Sequence, residues 1–292
     1  MASLKEVKQR ISSVESTRKI TSAMKMIASA KLRKAQGRME RFRPYQLRLT
    51  EIVQSFLSFE MDFSSPFAAK REVKAVALVV FSSNSNLCGA FNANAIRLLE
   101  QEMRSYSSIE QEHIHIYPIG KKIYDAVVRK GLKPKGEYSQ LIDEPSFKEI
   151  KTVAEQLMTD FLDRQIDEVK LIYSHFKNTA VQQLRTEQFL PVLLPAIPET
   201  NTPNINYIVE PDKASVIASL LPKSLCSQLF AALLDSSTAE HAARTMAMQV
   251  ATDNASDLLD ELRIQYNKSR QQAITSELLD ILSGQAALKG AR

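Results

Sequence analysis

The sequence predicts an α/β chain in which a long antiparallel coiled coil of N- and C-terminal helices carries an inserted α/β domain. Three observations predict it. Apolar residues recur at steps of three and four along both ends. Only 7 of the 292 residues are Gly, about a third of ordinary usage, which suits long uninterrupted helices. Strand-like and helix-like segments alternate through the middle. The expected divisions are residues 1–60, 73–208 and 212–288.

The first helix is expected from about Ser3 to Phe59, with Ser3 as N-cap and Glu6 at the capping-box spacing. Its apolar stripe runs through Leu4, Val7, Ile11 and Val14, passes Ile20, Met24 and Ile27, and resumes at Ala28, Leu32, Ala35, Met39, Phe42, Leu49, Ile52 and Phe56. Pro44 removes a backbone donor and is expected to bend it. About 55 residues at 1.5 Å each span roughly 80 Å, so the helix needs a partner along its length. The C-terminal segment supplies one. After Pro222 it has no further Pro, and no Gly before Gly284. Ala239, Ala243, Met246 and Val250 keep the rhythm; Ala251, Ala255, Leu258, Leu262, Ser269 and Ala273 continue it on a nearby face. Small residues there let two helix axes approach closely. A bundle of separate helices would need two more of similar length, which the middle does not offer.

Between them, Val73–Phe81 reads as a strand ending in the polar loop Ser82–Asn86, then a helix over Ala90–Ser105, a strand over His113–Ile119 and a helix over Lys121–Lys130. A helix over Phe147–Arg164 and a strand over Glu168–Tyr173 follow, with a further strand at Gln188–Leu194. Alternation of this kind gives a mainly parallel, helix-covered sheet of Rossmann-like arrangement. Asp62–Pro66 and Pro198–Pro203 read as connections.

The formal net charge of +5 is unevenly placed: between Met1 and Ser58, thirteen Lys and Arg stand against four Glu. Such a stripe meets nucleic acid, lipid headgroups or an acidic protein, or is simply a solvated face. Cys88 and Cys226 are too few and too far apart for a disulfide framework or zinc site. No apolar run is read as long enough to span a bilayer, and the first residues carry no signal-peptide core. The chain has neither GxxxxGK[ST] nor GxGxxG, and the loop Ser82–Gly89 holds a single Gly, which argues against a phosphate cradle. His113 and His115 share a strand face without a third ligand, His175 and His241 stand isolated, and Asp253, Asp257, Asp260 and Glu261 read as a solvated helix face. No catalytic, cofactor or metal site is expected. On the residues alone, a nucleic-acid-associated or scaffolding coiled coil is the runner-up reading, and a stand-alone enzyme on the α/β domain the third.

Three segments in this order and spacing resemble the gamma subunit of F-type ATP synthase. They are Thr17–Ala28 (TRKITSAMKMIA) followed by Lys31-Leu32-Arg33; Asn86–Asn92 (NLCGAFN); and Ala247–Ala255 (AMQVATDNA) with Tyr266–Glu277 (YNKSRQQAITSE). The resemblance covers essentially the whole chain. It implies a non-catalytic rotor shaft without cofactor, one copy threading a ring of three alpha and three beta subunits. Its globular part meets the epsilon subunit and the membrane ring of c subunits. Proton flow turns it, at the cytoplasmic side of a bacterial inner membrane, and no nucleic acid is involved. It assigns Met24, Lys25, Arg270, Gln271, Thr275 and Glu277 to contacts with the stator. Leu278, Leu279, Ile281 and Leu282 become a tip turning in an apolar collar, and Leu87, Cys88 and Gly89 a loop on the epsilon and c-ring side. Two departures stand out. Asn84-Ser85-Asn86 replaces the family's Asp-Arg-Gly, with Asn86 expected to take the left-handed backbone of the lost Gly. Gly284-Gln285-Ala286 stands where Gly-Ala is common.

Overall fold

The computed structural model describes residues 4–59, 65–69, 71–193, 209–210 and 212–290, without the side chains of 57–59, 213–214 and 285–290. The expected N-cap Ser3, the connection Pro198–Pro203 and the side chain of Gln285 lie outside the described residues. The chain divides into two compact units, residues 28–244 and residues 1–27 with 245–292. Two long helices contribute to both: α1, Leu4–Phe59, and α6, Lys213–Gly290. Both run through a proline, Pro44 and Pro222, so neither residue ends its helix.

In the unit of residues 28–244, a four-stranded sheet has the order β2-β1-β3-β4, with β1 Val76–Phe81, β2 Ile114–Ile119, β3 Glu168–Phe176 and β4 Gln182–Leu190. The β1·β2 and β1·β3 pairs are parallel and β3·β4 antiparallel. The last strand thus lies earlier than the expected Gln188–Leu194. All six β1 residues are at most 1% exposed, because helices cover both faces of a parallel sheet. Ala77, Val79 and Phe81 face a core shared with α5 (Phe147–Leu162) and with Leu225, Leu229 and Leu233 of α6. Val76, Leu78 and Val80 face the opposite core, with Leu99 of α2 (Phe91–Ser105) and Ile123 and Val127 of α3 (Lys121–Arg129). A short helix α4, Gln140–Asp143, was not expected.

In this unit α1 and α6 run antiparallel. The Phe42 and Phe230 rings meet edge to face at 4.9 Å, and further along Leu49, Val53 and Phe56 pack with Ile217 and Leu221. Contrary to the reading above, α6 contains an 18-residue window of mean hydropathy 1.5, apolar enough to cross a bilayer by length and composition. Leu221, Leu225, Leu229 and Leu233 of this helix are at most 3% exposed within the unit, so this apolar surface serves the core.

In the other unit the seam on α1 is Leu4, Val7, Ile11, Val14, Arg18, Thr21 and Lys25, all buried or half-buried at alternating steps of three and four. On α6 it is Met248, Thr252, Ala255, Leu259, Leu262, Tyr266 and Ser269. This is the heptad rhythm of a coiled coil. The two helices are joined by the Thr252 and Thr21 hydroxyls, 2.9 Å apart. Antiparallel pairing from that point sets Leu4 opposite Ser269, and from Arg270 to Gly284 every residue is exposed. The seam departs from the expected stripe. Ile20 and Ile27 are each 60% exposed, and Met246, Val250 and Leu258 also face outward. Polar Arg18, Thr21 and Lys25 take the seam instead.

Candidate functional site

Two surfaces carry the residues singled out by sequence, one in each unit. The first is the stretch of α6 from Arg270 to Gly284, which no described part of the chain covers. Arg270, Gln271, Thr275 and Glu277 are all exposed, and the Thr275 hydroxyl donates to the Gln271 carbonyl at 2.9 Å. Leu278, Leu279, Ile281 and Leu282 are 55–62% exposed, and Ile274, which the sequence reading left out, is 51% exposed. At 3.6 residues per turn these five cover roughly 160° of the helix, and Ser276, Glu277, Asp280 and Ser283 hold the remainder. The tip is therefore apolar on one side only. Of the other expected contact residues, Met24 and Lys25 are half-buried on α1, with Lys25 in the seam. The acidic residues Asp253, Asp257, Asp260 and Glu261 are exposed, as expected.

The second surface is the loop Ser82–Gly89 at the carboxyl end of β1. Its shape is fixed by side chains distant in sequence. The Asn84 carbonyl oxygen accepts from the Lys121 backbone N–H at 2.9 Å, while its NH₂ donates to the Ser139 carbonyl and the Asp143 carboxylate, both at 2.7 Å. Asn92 accepts from the Ser83 N–H at 3.0 Å and donates to the Ser83 hydroxyl at 2.8 Å. Arg244 of α6 donates to the Asn86 carbonyl and to Glu240. Burial pushes the Glu240 carboxyl up, and Arg244 opposes that shift. Left-handed backbone falls on Leu87 (φ 67°) and Gly89 (φ 60°); Asn86, expected there, is not among such residues. Cys88 is 1% exposed, packed with Phe91 and Ala239, whereas Leu87 is 57% exposed. Of the three loop residues assigned by resemblance, only Leu87 has an exposed side chain.

This loop borders the carboxyl edge of a doubly wound sheet. Ligands of such sheets enter at the carboxyl ends of strands flanking the point where connections reverse, here β1 and β3. That crevice is filled by α6. Asp235 accepts from the Phe176 N–H at 2.7 Å and lies 2.5 Å from His175 Nδ1, and Ala239 packs among Cys88, Phe91 and Phe176. His175 is thus not isolated. Neither is His241, which lines a cleft of about 850 Å³ between Lys31, Lys34 and Arg38 and the acidic Asp143, Glu144 and Glu149. Burial, then Lys31 and Arg244, depress its imidazole from 6.5 to about 4. His115 is lowered by burial and by Lys135. No cluster able to hold a metal ion occurs among the described residues, and both cysteines are free and buried.

A family model described as ATP synthase matches residues 3–288. The ATP synthase gamma chain of Bacteroides fragilis is 54% identical over 290 residues, covering 98% of this chain and 100% of that one. The chain belongs to the ATP synthase gamma chain family. The gamma chain of Phocaeicola vulgatus is likewise 54% identical over 289 residues, with 98% and 100% coverage. Among solved structures, the central stalk and c-ring of the Tetrahymena thermophila mitochondrial ATP synthase matches with a TM-score of 0.59 and 25% identity, over 80% of this chain and 99% of that one. The rotor of the Euglena gracilis mitochondrial enzyme shares the fold, with a TM-score of 0.66 at 19% identity, over 93% and 98% of the two chains. Membership places the exposed α6 stretch and the loop around Leu87 on a subunit of a larger assembly.

Proposed function

We propose that this chain is the central rotor stalk of an F-type ATP synthase. It couples proton passage through the membrane ring to ATP synthesis or hydrolysis at the ring of alpha and beta subunits. The observation that carries the reading is α6 from Arg270 to Gly284: a stretch of helix that no described part of α1 covers, exposed throughout and apolar on one side. Such a face needs a partner, and family membership supplies the assembly.

Rotation follows from shape. A one-sided apolar tip presents different surfaces to the three catalytic subunits in turn, so each meets a different face of the same helix. Hydrophobic contact is non-directional, which lets Leu278, Leu279, Ile281 and Leu282 slide within a collar, while Arg270, Gln271, Thr275 and Glu277, with Met24 and Lys25, make the polar stator contacts. Each exposed ion pair contributes only about 0–1 kcal/mol, so torque is spread over many contacts. The nucleotide chemistry resides in the partner ring. In this reading one chain serves three alpha and three beta subunits, meets the epsilon subunit and c-ring through its globular unit, with Leu87 as the contact side chain of its loop, and works at the cytoplasmic face of the bacterial inner membrane. Mixing the chain with alpha and beta subunits of a close relative tests this. A complex with one copy of the chain and ATPase activity is expected; separate elution without activity overturns it.

A further inference from the structure

The seam of the coiled coil in the unit of residues 1–27 and 245–292 changes character along its length. Val7, Ile11 and Val14 on α1, with Leu259, Leu262 and Tyr266 on α6, are apolar or aromatic, but Arg18 then stands opposite Ala255 and the following layer is Thr21 against Thr252. Each hydroxyl has one proton, and the geometry uses both. The Thr252 hydroxyl lies 2.9 Å from that of Thr21 and 2.7 Å from the Met248 carbonyl, and the Thr21 hydroxyl lies 3.1 Å from the Arg18 carbonyl. Whichever threonine donates to the other, the remaining proton ends on a backbone carbonyl of its own helix.

We propose that Thr21 and Thr252 are positioning residues that fix the register of the two-stranded shaft. Pairing at the threonines sets Val14 opposite Leu259 and Val7 opposite Tyr266. Sliding one helix by a heptad, about 10 Å, keeps Val14 on an aromatic partner, Tyr266, but moves Ile11 from Leu262 to Ser269 and Arg18 from Ala255 to Leu262, so the stripe disfavours that register and the threonines add to the discrimination. In that slipped register Thr21 faces Leu259 and loses its hydroxyl partner, which penalises it. A polar pair at one seam position is an established way for coiled coils to specify register. The device is directional. Thr245 stands one heptad before Thr252, so slippage the other way offers Thr21 a second threonine. The lock thus guards against one direction of shear.

Register is read by cysteine pairs in the full-length chain, since a disulfide needs Cα atoms within about 7 Å. V14C/L259C reports the native register and V14C/Y266C the slipped one; Cys88 and Cys226 are buried. In an otherwise unchanged chain, oxidation closes the first pair and leaves the second near background. Adding T21V/T252V, which turns the slipped layer into Val against Leu, raises the yield of the second pair about fivefold, the ratio a net hydrogen bond supports. T21S/T252S, which keeps both hydroxyls, returns it to background. Equal yields of the slipped pair in all three backgrounds overturn the proposal. Should T21V/T252V fail to fold, T21V alone is read by the same criterion, because Thr252 keeps its bond to the Met248 carbonyl. A second arm rests on the rotor reading. In the assembled complex, T21V/T252V lowers protons pumped per ATP hydrolysed and T21S/T252S restores it. The cross-linking arm needs no partner subunits, so failure of the rotor reading leaves it standing, whereas unchanged cross-linking removes the lock whatever the complex does.

Discussion

Gly120 turns β2 into α3 with φ at 114°, and a Cβ there would sit 2.2 Å from the Ser82 carbonyl oxygen. Backbone strain and a clash with main chain add together, so Gly120→Ala is expected to cost at least about 3 kcal/mol. Gly131, at φ 75° with nothing within 4 Å of its Cβ position, has only the strain, and Gly131→Ala is expected to cost about 1 kcal/mol. Paired denaturant titrations check the ordering; equal midpoint shifts would refute it. His241 supplies a pH dependence. Its imidazole falls from 6.5 to about 4 on folding, so the native state favours the neutral ring. That stability is fully present above about pH 6.5 and is lost as pH falls towards 4. His241→Gln is expected to remove on the order of 1–2 kcal/mol of the difference between pH 7 and pH 4, after allowance for partial solvent screening. Identical acid sensitivity in both chains would show that His241 does not carry it. Neither effect was legible in the sequence. Nothing in the sequence singles out Gly120, and His241 reads there as isolated, because the groups that constrain them, Ser82 and Lys31, are far away in the chain. The same holds for Asn84. It bonds Lys121 as an acceptor and Asp143 as a donor, a pair of roles that an ionised Asp cannot fill.

The two long helices were legible because a sustained three-four rhythm with little Gly has few other solutions, and β1 because six consecutive apolar residues suit a strand covered on both faces. The seam was misread between Ile20 and Ile27 for a physical reason. Apolar residues mark where water is excluded, by the chain itself or by another chain, and hydropathy cannot distinguish the two. Ile20 and Ile27 obey the helical period yet face outward, while Arg18, Thr21 and Lys25 bury part of their side chains in the seam, as long or hydroxylated side chains can. Strand β4 was placed too late because its sequence, QQLRTEQFL, is mostly polar and half-exposed at the sheet edge. The distinction between inward and outward apolar positions can be measured. Leu259 is 1% exposed and Ile264 71% exposed on the same helix. Leu259→Ala is expected to cost about 2–4 kcal/mol in the isolated chain, and Ile264→Ala less than about 0.5 kcal/mol. Comparable losses for both would show that the burial pattern, and with it the seam, is wrongly drawn.

For the whole molecule, folding and the proposed rotor contacts draw on different parts of α6. Up to Ser269 the helix has a seam partner; from Arg270 to Gly284 it is exposed throughout and makes no contribution to the described core. Ending the chain at Ser269 should therefore leave its stability nearly unchanged, with a melting temperature within about 2 °C of the full chain, since no buried contact of the described residues is removed. The assembled complex should behave differently. The missing stretch holds Arg270, Gln271, Thr275, Glu277 and the whole apolar side of the tip, so coupled ATPase activity is expected to fall. It is not expected to vanish, because contacts worth about 0–1 kcal/mol each share the load along the remaining coiled coil. Measuring melting temperature, complex assembly and coupled turnover on one truncated chain separates the possibilities. A lower melting temperature would mean that the tip folds back onto the chain, and complete loss of turnover in an intact complex would mean that torque is concentrated at the tip.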